Sequence, residues 1–500
     1  MTPSSVENIG AEGLPVFPRP AGYATVLLIA GAVAAILAGA WVIVAGLTAI
    51  ALAVTLIGTI ALWMARGKSG NILIGWVFLY PLGYYLLSYP RERPIIQFDR
   101  ILIACLLVAI LTAPGSSFQK VPADLRRAGT AWAVFLAATC ISLLMAKNVL
   151  TTGRLIVDGL LLPAVLGWYV VRQFRLRGHE KWLHTAICVI SLYCAAIGVA
   201  EIAQQKDLLA FHASDDYLLT DTSDPAAFAF LRPNGPFLAN QTFAIAGLIS
   251  FFLLAFLWTE IRETAGPARR ILHCAGISAA LLQANLPVFR SVFLTLILVT
   301  MIDVFWTTGI RRALRLVALG ILPAVAIAIG LLFPAVFQDR TDSSNFTSRL
   351  AQDRQTWRIF IDHPLFGVGL FNFTPIASAN SHYQVALDNV SPLDFPHNNL
   401  GWVAAETGLA GTIPFVLAQI LLVVAFCRLR KSGERGHTAW RFFVFIFLSY
   451  WLTGMTETAA QYGELNMWFI FAVALLYRYA ALESRPDAPP ALSPELEGAP

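Results

Sequence analysis

Apolar stretches of about 20 residues with few or no charges recur from one end of this chain to the other. A segment of that kind is as long as a helix that crosses the hydrocarbon core of a bilayer, where every backbone N–H and C=O must be satisfied internally. Hydrophobic residues make up 57% of the 500 positions and charged residues only 13%, and the mean hydropathy is +0.67. A soluble chain of this length could not bury that much apolar surface. The sequence therefore predicts an all-α, polytopic membrane protein.

Counting such spans places them near 22–42, 44–65, 71–89, 100–114, 128–146, 153–171, 182–203, 240–258, 271–288, 290–306, 313–336, 399–427, 439–455 and 464–481, an expectation of about 12 to 14 helices. The chain then divides into a cytoplasmic N-terminal segment 1–21, transmembrane helices across 22–336 with an outer loop at 204–239, a large extracytoplasmic loop at 337–396, C-terminal helices across 397–483, and a disordered Pro-, Ala- and Glu-rich tail at 484–500. Residues 1–21 contain acids and four prolines without a basic start, unlike a cleavable signal peptide.

Orientation follows from loop charge. Arg172 to Lys181 has four basic residues against one acid, Arg428 to Arg441 has five against one, and Arg311, Arg312 and Arg315 cluster on a third connection. Such clusters favour the cytoplasmic side. The loop 204–239 has two basic and five acidic residues and 337–396 has four and six, so both are expected outside. Arg91, Arg93 and Arg100 then fall near an outer loop, against the charge rule. The net charge of +5 is spread over short clusters between apolar segments, which points to lipid headgroups and not to nucleic acid.

All six cysteines lie in or at the end of apolar segments, so neither a disulfide framework nor a thiolate metal site is expected. The His, Asp and Glu residues show no metal-ligand spacing, and no cofactor is implied. Four Asn-x-Ser/Thr triplets, at Asn240, Asn345, Asn372 and Asn389, are a pattern that chance supplies often. No internal repeat and no matching pair of broken helices is visible, which counts against a secondary transporter.

The polar insert between Asn345 and Gly411 is where chemistry is expected. It holds Arg349, Arg354 and Arg358 with His363, His382 and His397 at one membrane surface. Ser348 to Ile361 reads as a short amphipathic helix with Leu350, Trp357 and Ile361 on one face and Arg354 and Arg358 a turn apart on another, suited to lie on the leaflet. Asp362-His363-Pro364 ends it, and Gly367 and Gly369 permit a tight turn. Pro396 reads as a helix starter, placing His397 in the first turn of a membrane helix, where the helix dipole favours an anion nearby and a neutral imidazole. Such an imidazole is either a proton acceptor or a capping, interfacial histidine.

The segment Asp362-His363-Pro364-Leu365-Phe366-Gly367-Val368-Gly369, with His397-Asn398-Asn399-Leu400 and Ala405-Glu406-Thr407-Gly408-Leu409-Ala410-Gly411, resembles the signature region of the O-antigen ligase and O-antigen polymerase superfamily. The resemblance is specific over about 65 residues. It implies an architecture like that of the C-type glycosyltransferases. The implied activity is transfer of a glycan from an undecaprenyl-diphosphate donor to an acceptor, such as lipid A-core or another glycan, at the periplasmic face of the bacterial inner membrane. It also implies arginines on earlier outer loops, matched here by Arg232, in Arg232-Pro233-Asn234-Gly235-Pro236-Phe237, and by Arg290, where the family more often has Ser-Arg and this chain has Phe289-Arg290-Ser291.

Together these readings name His397 as the base, Arg232, Arg290 and Arg349 as diphosphate ligands, and Asn398 and Glu406 as supporting residues. A diphosphate is a good leaving group, so the protein has mainly to neutralise its charge and orient the acceptor, without a metal and with inversion at the anomeric carbon. The competing class is a non-enzymatic transporter or flippase of polyprenyl-linked sugars. That class would place its polar groups nearer the bilayer midplane than at the end of a long outer loop.

Overall fold

The computed structural model describes residues 69–89, 96–112, 121–204, 206, 208–209, 232–307, 309–310, 312–313, 315–317, 343–384, 386–387, 396–456 and 458–481. The spans expected at 22–42 and 44–65, most of that at 313–336, the segment 1–21 and the tail 484–500 lie outside these residues.

The described chain is helical. Its elements are α1 (Ser69–Leu79), α2 (Phe98–Thr112), α3 (Ala123–Ile141), α4 (Val149–Arg172), α5 (Glu180–Gln204), α6 (Asn240–Ile261), α7 (Pro267–Asn285), α8 (Arg290–Phe305), α9 (Ser343–Asp362), α10 (Phe373–Ala377), α11 (Asn399–Leu429), α12 (Glu434–Thr453) and α13 (Gly463–Ala481). One short antiparallel pairing, Ser88–Tyr89 with Ile96–Gln97, joins the end of the α1 region to α2. The expected spans that fall on described residues are helical, except that the one at 71–89 is broken: Ser69–Leu79 is followed by a 3-10 turn (Tyr80–Leu82), a single helical turn (Gly83–Leu86) and the short strand Ser88–Tyr89. Among the described residues, five stretches, beginning at α3, α4, α5, α6 and α11, are long and apolar enough to cross a membrane.

α13 is buried almost all round and packs against α4, α6 and α12, as expected of a helix at the centre of a bundle. Stacked rings at its start, with Tyr80 5.0 Å from Trp468, join it to the α1 region. α11 packs most extensively along α3. α4 contains a π-helical turn, Leu155–Leu161, that carries Asp158. The Arg100 fork bonds both oxygens of that carboxylate, at 2.7 and 2.6 Å. This accounts for Arg100 where loop charge failed: its charge is compensated inside the bundle. Arg91 and Arg93 lie outside the described residues.

Contacts between helix ends sort the molecule into two faces. On one, Glu201 of α5 accepts from Gly235 N–H (2.8 Å), Glu464 of α13 accepts from Leu238 N–H (3.0 Å), and Asn399 of α11 donates from its backbone to Gly454 (2.7 Å) and accepts at its side chain from Ala460 N–H (2.8 Å). On the other, Arg269 donates to the Lys181 carbonyl (2.9 Å), Arg428 pairs with Asp124, and Asp303 takes both Arg315 and Arg441. The basic clusters thus occupy the face opposite the long polar loop.

Candidate functional site

α9 runs from Ser343 to Asp362, longer at its start than the sequence pattern suggested. Its buried side is Ala351, Gln352, Gln355, Thr356 and Ile359, and Ile359 packs with Val368, Phe373, Ala377, Tyr383 and Ala405. Leu350, Trp357 and Ile361 are exposed, so the face read as apolar is turned away from the protein. Arg358 is engaged by the loop itself, donating to the His382 carbonyl at 3.0 Å. Asp362 accepts from the Tyr383 hydroxyl at 2.9 Å and lies 3.4 Å from His382. The His363 side chain is exposed, and its carbonyl accepts from Gly367 N–H to close the turn.

The glycine-rich turn after α9 is stitched into a break in α11. Gly408 takes a non-helical conformation (φ 60°, ψ −161°), which frees backbone groups on both sides of it. The loop supplies their partners. Val368 and Gly369 N–H donate to the Ala405 and Glu406 carbonyls (3.0 and 2.9 Å), while Leu409 and Ala410 N–H donate to the Pro364 and Leu365 carbonyls (2.8 and 3.0 Å). The two motifs read from the sequence, Pro364 to Gly369 and Ala405 to Ala410, are thus the two sides of one backbone junction. Glu406 is buried beneath it and accepts from Phe373 N–H at 3.3 Å. Asn372 latches the loop to the α3–α4 connection, donating to the Met145 carbonyl (2.9 Å) and accepting from Lys147 N–H (3.3 Å).

At the start of α11 the structure corrects the expected register. Pro396 lies outside the helix, with its carbonyl bonded by Thr458, and the cap is Asn398, whose side-chain oxygen accepts from Gly401 N–H. His397 therefore precedes the cap instead of sitting in the first turn. Asn is among the best capping residues, so Asn398 was the stronger start signal. The Asn398 amide nitrogen also donates to Asp353 of α9 at 2.9 Å. Burial raises the Asp353 carboxyl above its ordinary range, against the Asn398 hydrogen bond and the nearby charges of His397 and Arg349, which lower it. The group at this corner is thus Arg349, Asp353, His397 and Asn398. Asp353 was missed, and its only signal was its place one turn after Arg349.

Arg232 and Arg290 form a second group on the same face. The Arg232 guanidinium lies over the Phe289 ring, 5.8 Å from its centroid, and Arg290 follows as the exposed first residue of α8. Phe289, which departs from the family pattern, is the platform for Arg232. The loop after Arg232 is fixed by the Glu201 and Glu464 carboxylates, which have no sequence signature beyond being acids at the ends of apolar runs. Among the described residues no group of three His, Cys, Asp or Glu is placed to hold a metal ion.

A many-helix membrane protein with a polar loop stitched into a broken helix, presenting arginines, a carboxylate and a histidine on one face, belongs to a class suited to handling anionic, lipid-borne groups. Residues 227–416 match the family model of the O-antigen ligases. The matched stretch takes in Arg232, Arg290, Arg349, Asp353, His397, Asn398 and Glu406. No curated protein matches the chain.

Proposed function

We propose that the protein transfers a glycan from an undecaprenyl-diphosphate carrier to an acceptor hydroxyl at the periplasmic face of the inner membrane. The observation that carries this reading is the corner at the start of α11, where His397 stands beside Asn398, Asp353 and Arg349 inside the family-matched stretch. His397 takes the proton from the acceptor hydroxyl. The oxygen attacks the anomeric carbon as the bond to the diphosphate breaks, and the diphosphate leaves with the bonding electron pair. Arg232, Arg290 and Arg349 neutralise that leaving group, for which guanidinium forks are well matched. A single displacement of this kind inverts the anomeric centre and requires no metal. The exposed Leu350, Trp357 and Ile361 seat α9 on the leaflet and hold the corner at headgroup depth.

The test is the purified protein in lipid nanodiscs, given a polyprenyl-diphosphate-linked glycan extracted from cells that accumulate it. Transfer with inversion, insensitive to EDTA, is the expected result. Tight binding of the lipid-linked glycan without turnover, in a protein that moves it across vesicle membranes, would replace this reading with a transporter. Cysteine labelling near Ser378 from the periplasmic side and near Arg177 and Arg430 from the cytoplasm is the topology the reading requires; the reverse pattern would remove it.

A further inference from the structure

The Arg232 group and the corner at His397 lie on one face, and both fall within the matched stretch 227–416. What joins them lies beyond it, in the chain between α12 and α13. Asn399, wholly buried, grips that chain twice: its backbone N–H donates to the Gly454 carbonyl at 2.7 Å, and its side-chain oxygen accepts from Ala460 N–H at 2.8 Å. The Thr458 hydroxyl donates to the carbonyl of Pro396, the residue before His397. Toward the other group, the Tyr462 hydroxyl accepts from the Gln241 amide at 2.8 Å. Glu464 accepts from Leu238 N–H at 3.0 Å, near the close of the loop that follows Arg232. The chain is tied down between these ends. The Asn466 amide donates to the Ala460 carbonyl (2.7 Å) and to that of Gly159 on α4 (2.9 Å), and its oxygen accepts from the Tyr450 hydroxyl of α12 (2.6 Å). A Cβ on Gly454 would collide with the Asn399 amide, so the close approach depends on a glycine. Buried amide and carboxylate groups are costly unless bonded, and their directional bonds fix one spacing where apolar contacts would allow several.

We propose that this chain is a bridge that sets the separation of the Arg232 group from His397, with Asn399 and Glu464 as its positioning residues. This rests on the reading of Arg232 as a diphosphate ligand and His397 as the base. The base must reach the acceptor hydroxyl while the arginine holds the departing diphosphate on the far side of the anomeric carbon. A change of about 1 Å in their separation therefore lowers the rate by about 10²-fold without loosening either group. Neither positioning residue need touch substrate. Glu201 still holds the Arg232 loop at Gly235 when Glu464 is removed, so donor binding depends little on the bridge.

Two measurements on the full-length protein in nanodiscs test this. The first needs no substrate: hydrogen–deuterium exchange read by mass spectrometry. Asn399→Ala is expected to speed exchange by about fivefold in 232–241 as well as in 454–462, and Glu464→Ala to do the same in 396–401. Peptides around Arg269 and Arg441, on the opposite face, keep wild-type rates. Exchange altered only beside the substituted residue would overturn the bridge. Thr458→Ala, which removes one bond to Pro396, carries the same test if Asn399→Ala does not accumulate in the membrane. The second is transfer kinetics with the extracted polyprenyl-diphosphate-linked glycan. Each alanine variant is expected to lower kcat by about 10- to 10²-fold with KM for the donor within about threefold. The double variant is expected to be no slower than the worse single one, because both substitutions break one bridge. Glu464→Gln, which keeps an oxygen for Leu238 N–H, restores most of the rate. Multiplied losses in the double variant, or wild-type kcat in both single variants, would overturn the positioning role and leave the proposed function standing. Full activity in His397→Ala would instead remove the base reading, and this inference with it.

Discussion

Gly367 and Gly408 pack backbone to backbone. A Cβ on Gly367 would fall closer than 3.0 Å to the Glu406 carbonyl, and one on Gly408 equally close to that of Leu365. Both residues have positive φ, 66° and 60°. Neither position tolerates a side chain, because the glycines allow the loop strand to lie within hydrogen-bonding reach of the broken helix.

Gly408→Ala and Gly367→Ala are therefore expected to destabilise the protein by about 2 kcal/mol or more, combining backbone strain with a clash against backbone atoms that cannot move aside. Thermal unfolding in detergent, with protease sensitivity of the loop around Ser378, would register the loss. Gly129→Ala, in the exposed part of α3 where an added Cβ meets nothing within 4 Å, is the control and should be neutral or slightly stabilising. Equal melting for Gly408→Ala and wild type would mean that the junction is not a fixed part of the fold.

The spans were legible because membrane helices announce themselves by length and by absence of charge, and helices such as α5, α6 and α13 fell where the apolar runs do. The break at Gly408 was not, since Leu400 to Leu429 reads as one apolar run and the interruption exists only because Pro364 to Gly369 arrives to satisfy it. The same reason hid Asp353. An acid on a polar helix looks like solvated surface until the tertiary fold sets Asn398 against it. His397 and Arg349 were singled out by residue type and loop position and Arg232 by the family resemblance, and their separation into two groups in the fold depends on Phe289 and on the anchoring carboxylates Glu201 and Glu464.

His397→Ala should leave the protein inserted and abundant, with transfer reduced by about 10²- to 10⁴-fold, the contribution of a general base. His363→Ala is the matched comparison, because that side chain is exposed and only its backbone holds the turn. Reconstituted activity and membrane yield would be measured side by side. A His397→Ala protein as active as wild type would end the base assignment.

The arginines make separable predictions. Arg232→Ala and Arg349→Ala should both raise KM for the donor and lower kcat, and Lys at either position should recover only part of the loss, since it lacks the two-pronged fork. Arg232 carries an additional dependence on its platform. Phe289→Leu should weaken donor binding in the same direction but less, by about 0.5–1 kcal/mol for the lost cation–π contact. Donor titrations that separate KM from kcat would decide, and full recovery by Lys would argue that only charge matters.

The Arg100–Asp158 pair is a stability element, with both side chains about one-fifth exposed. Removing one partner by Arg100→Met or Asp158→Leu leaves a largely enclosed charge unpaired and should cost about 1–3 kcal/mol, discounted from the fully buried case for solvent contact. Replacing both with apolar residues of similar size should recover much of that loss. Melting temperatures of the two single variants and the double variant test the coupling. Additive losses in the double variant would show that the two residues contribute independently.

Whether the acceptor is a second lipid-linked glycan or a different molecule separates a polymerase from a ligase, and the proposed donor site would serve both equally. Arg232, Arg290, Arg349 and His397 would neutralise a diphosphate and take a hydroxyl proton in either reaction. The difference is that a polymerase must hold two polyprenyl anchors at once. Deleting the gene and examining the surface glycan distinguishes the outcomes. Loss of a ligase should leave long chains on the undecaprenyl carrier and none on the acceptor, whereas loss of a polymerase should leave at most a single repeat unit transferred. The His397 segment resembles the ligase branch at least as well as the polymerase branch, so accumulation of carrier-linked polymer is the expected result, restored by the wild-type gene and not by His397→Ala. An unaltered glycan in the deletion strain would exclude both.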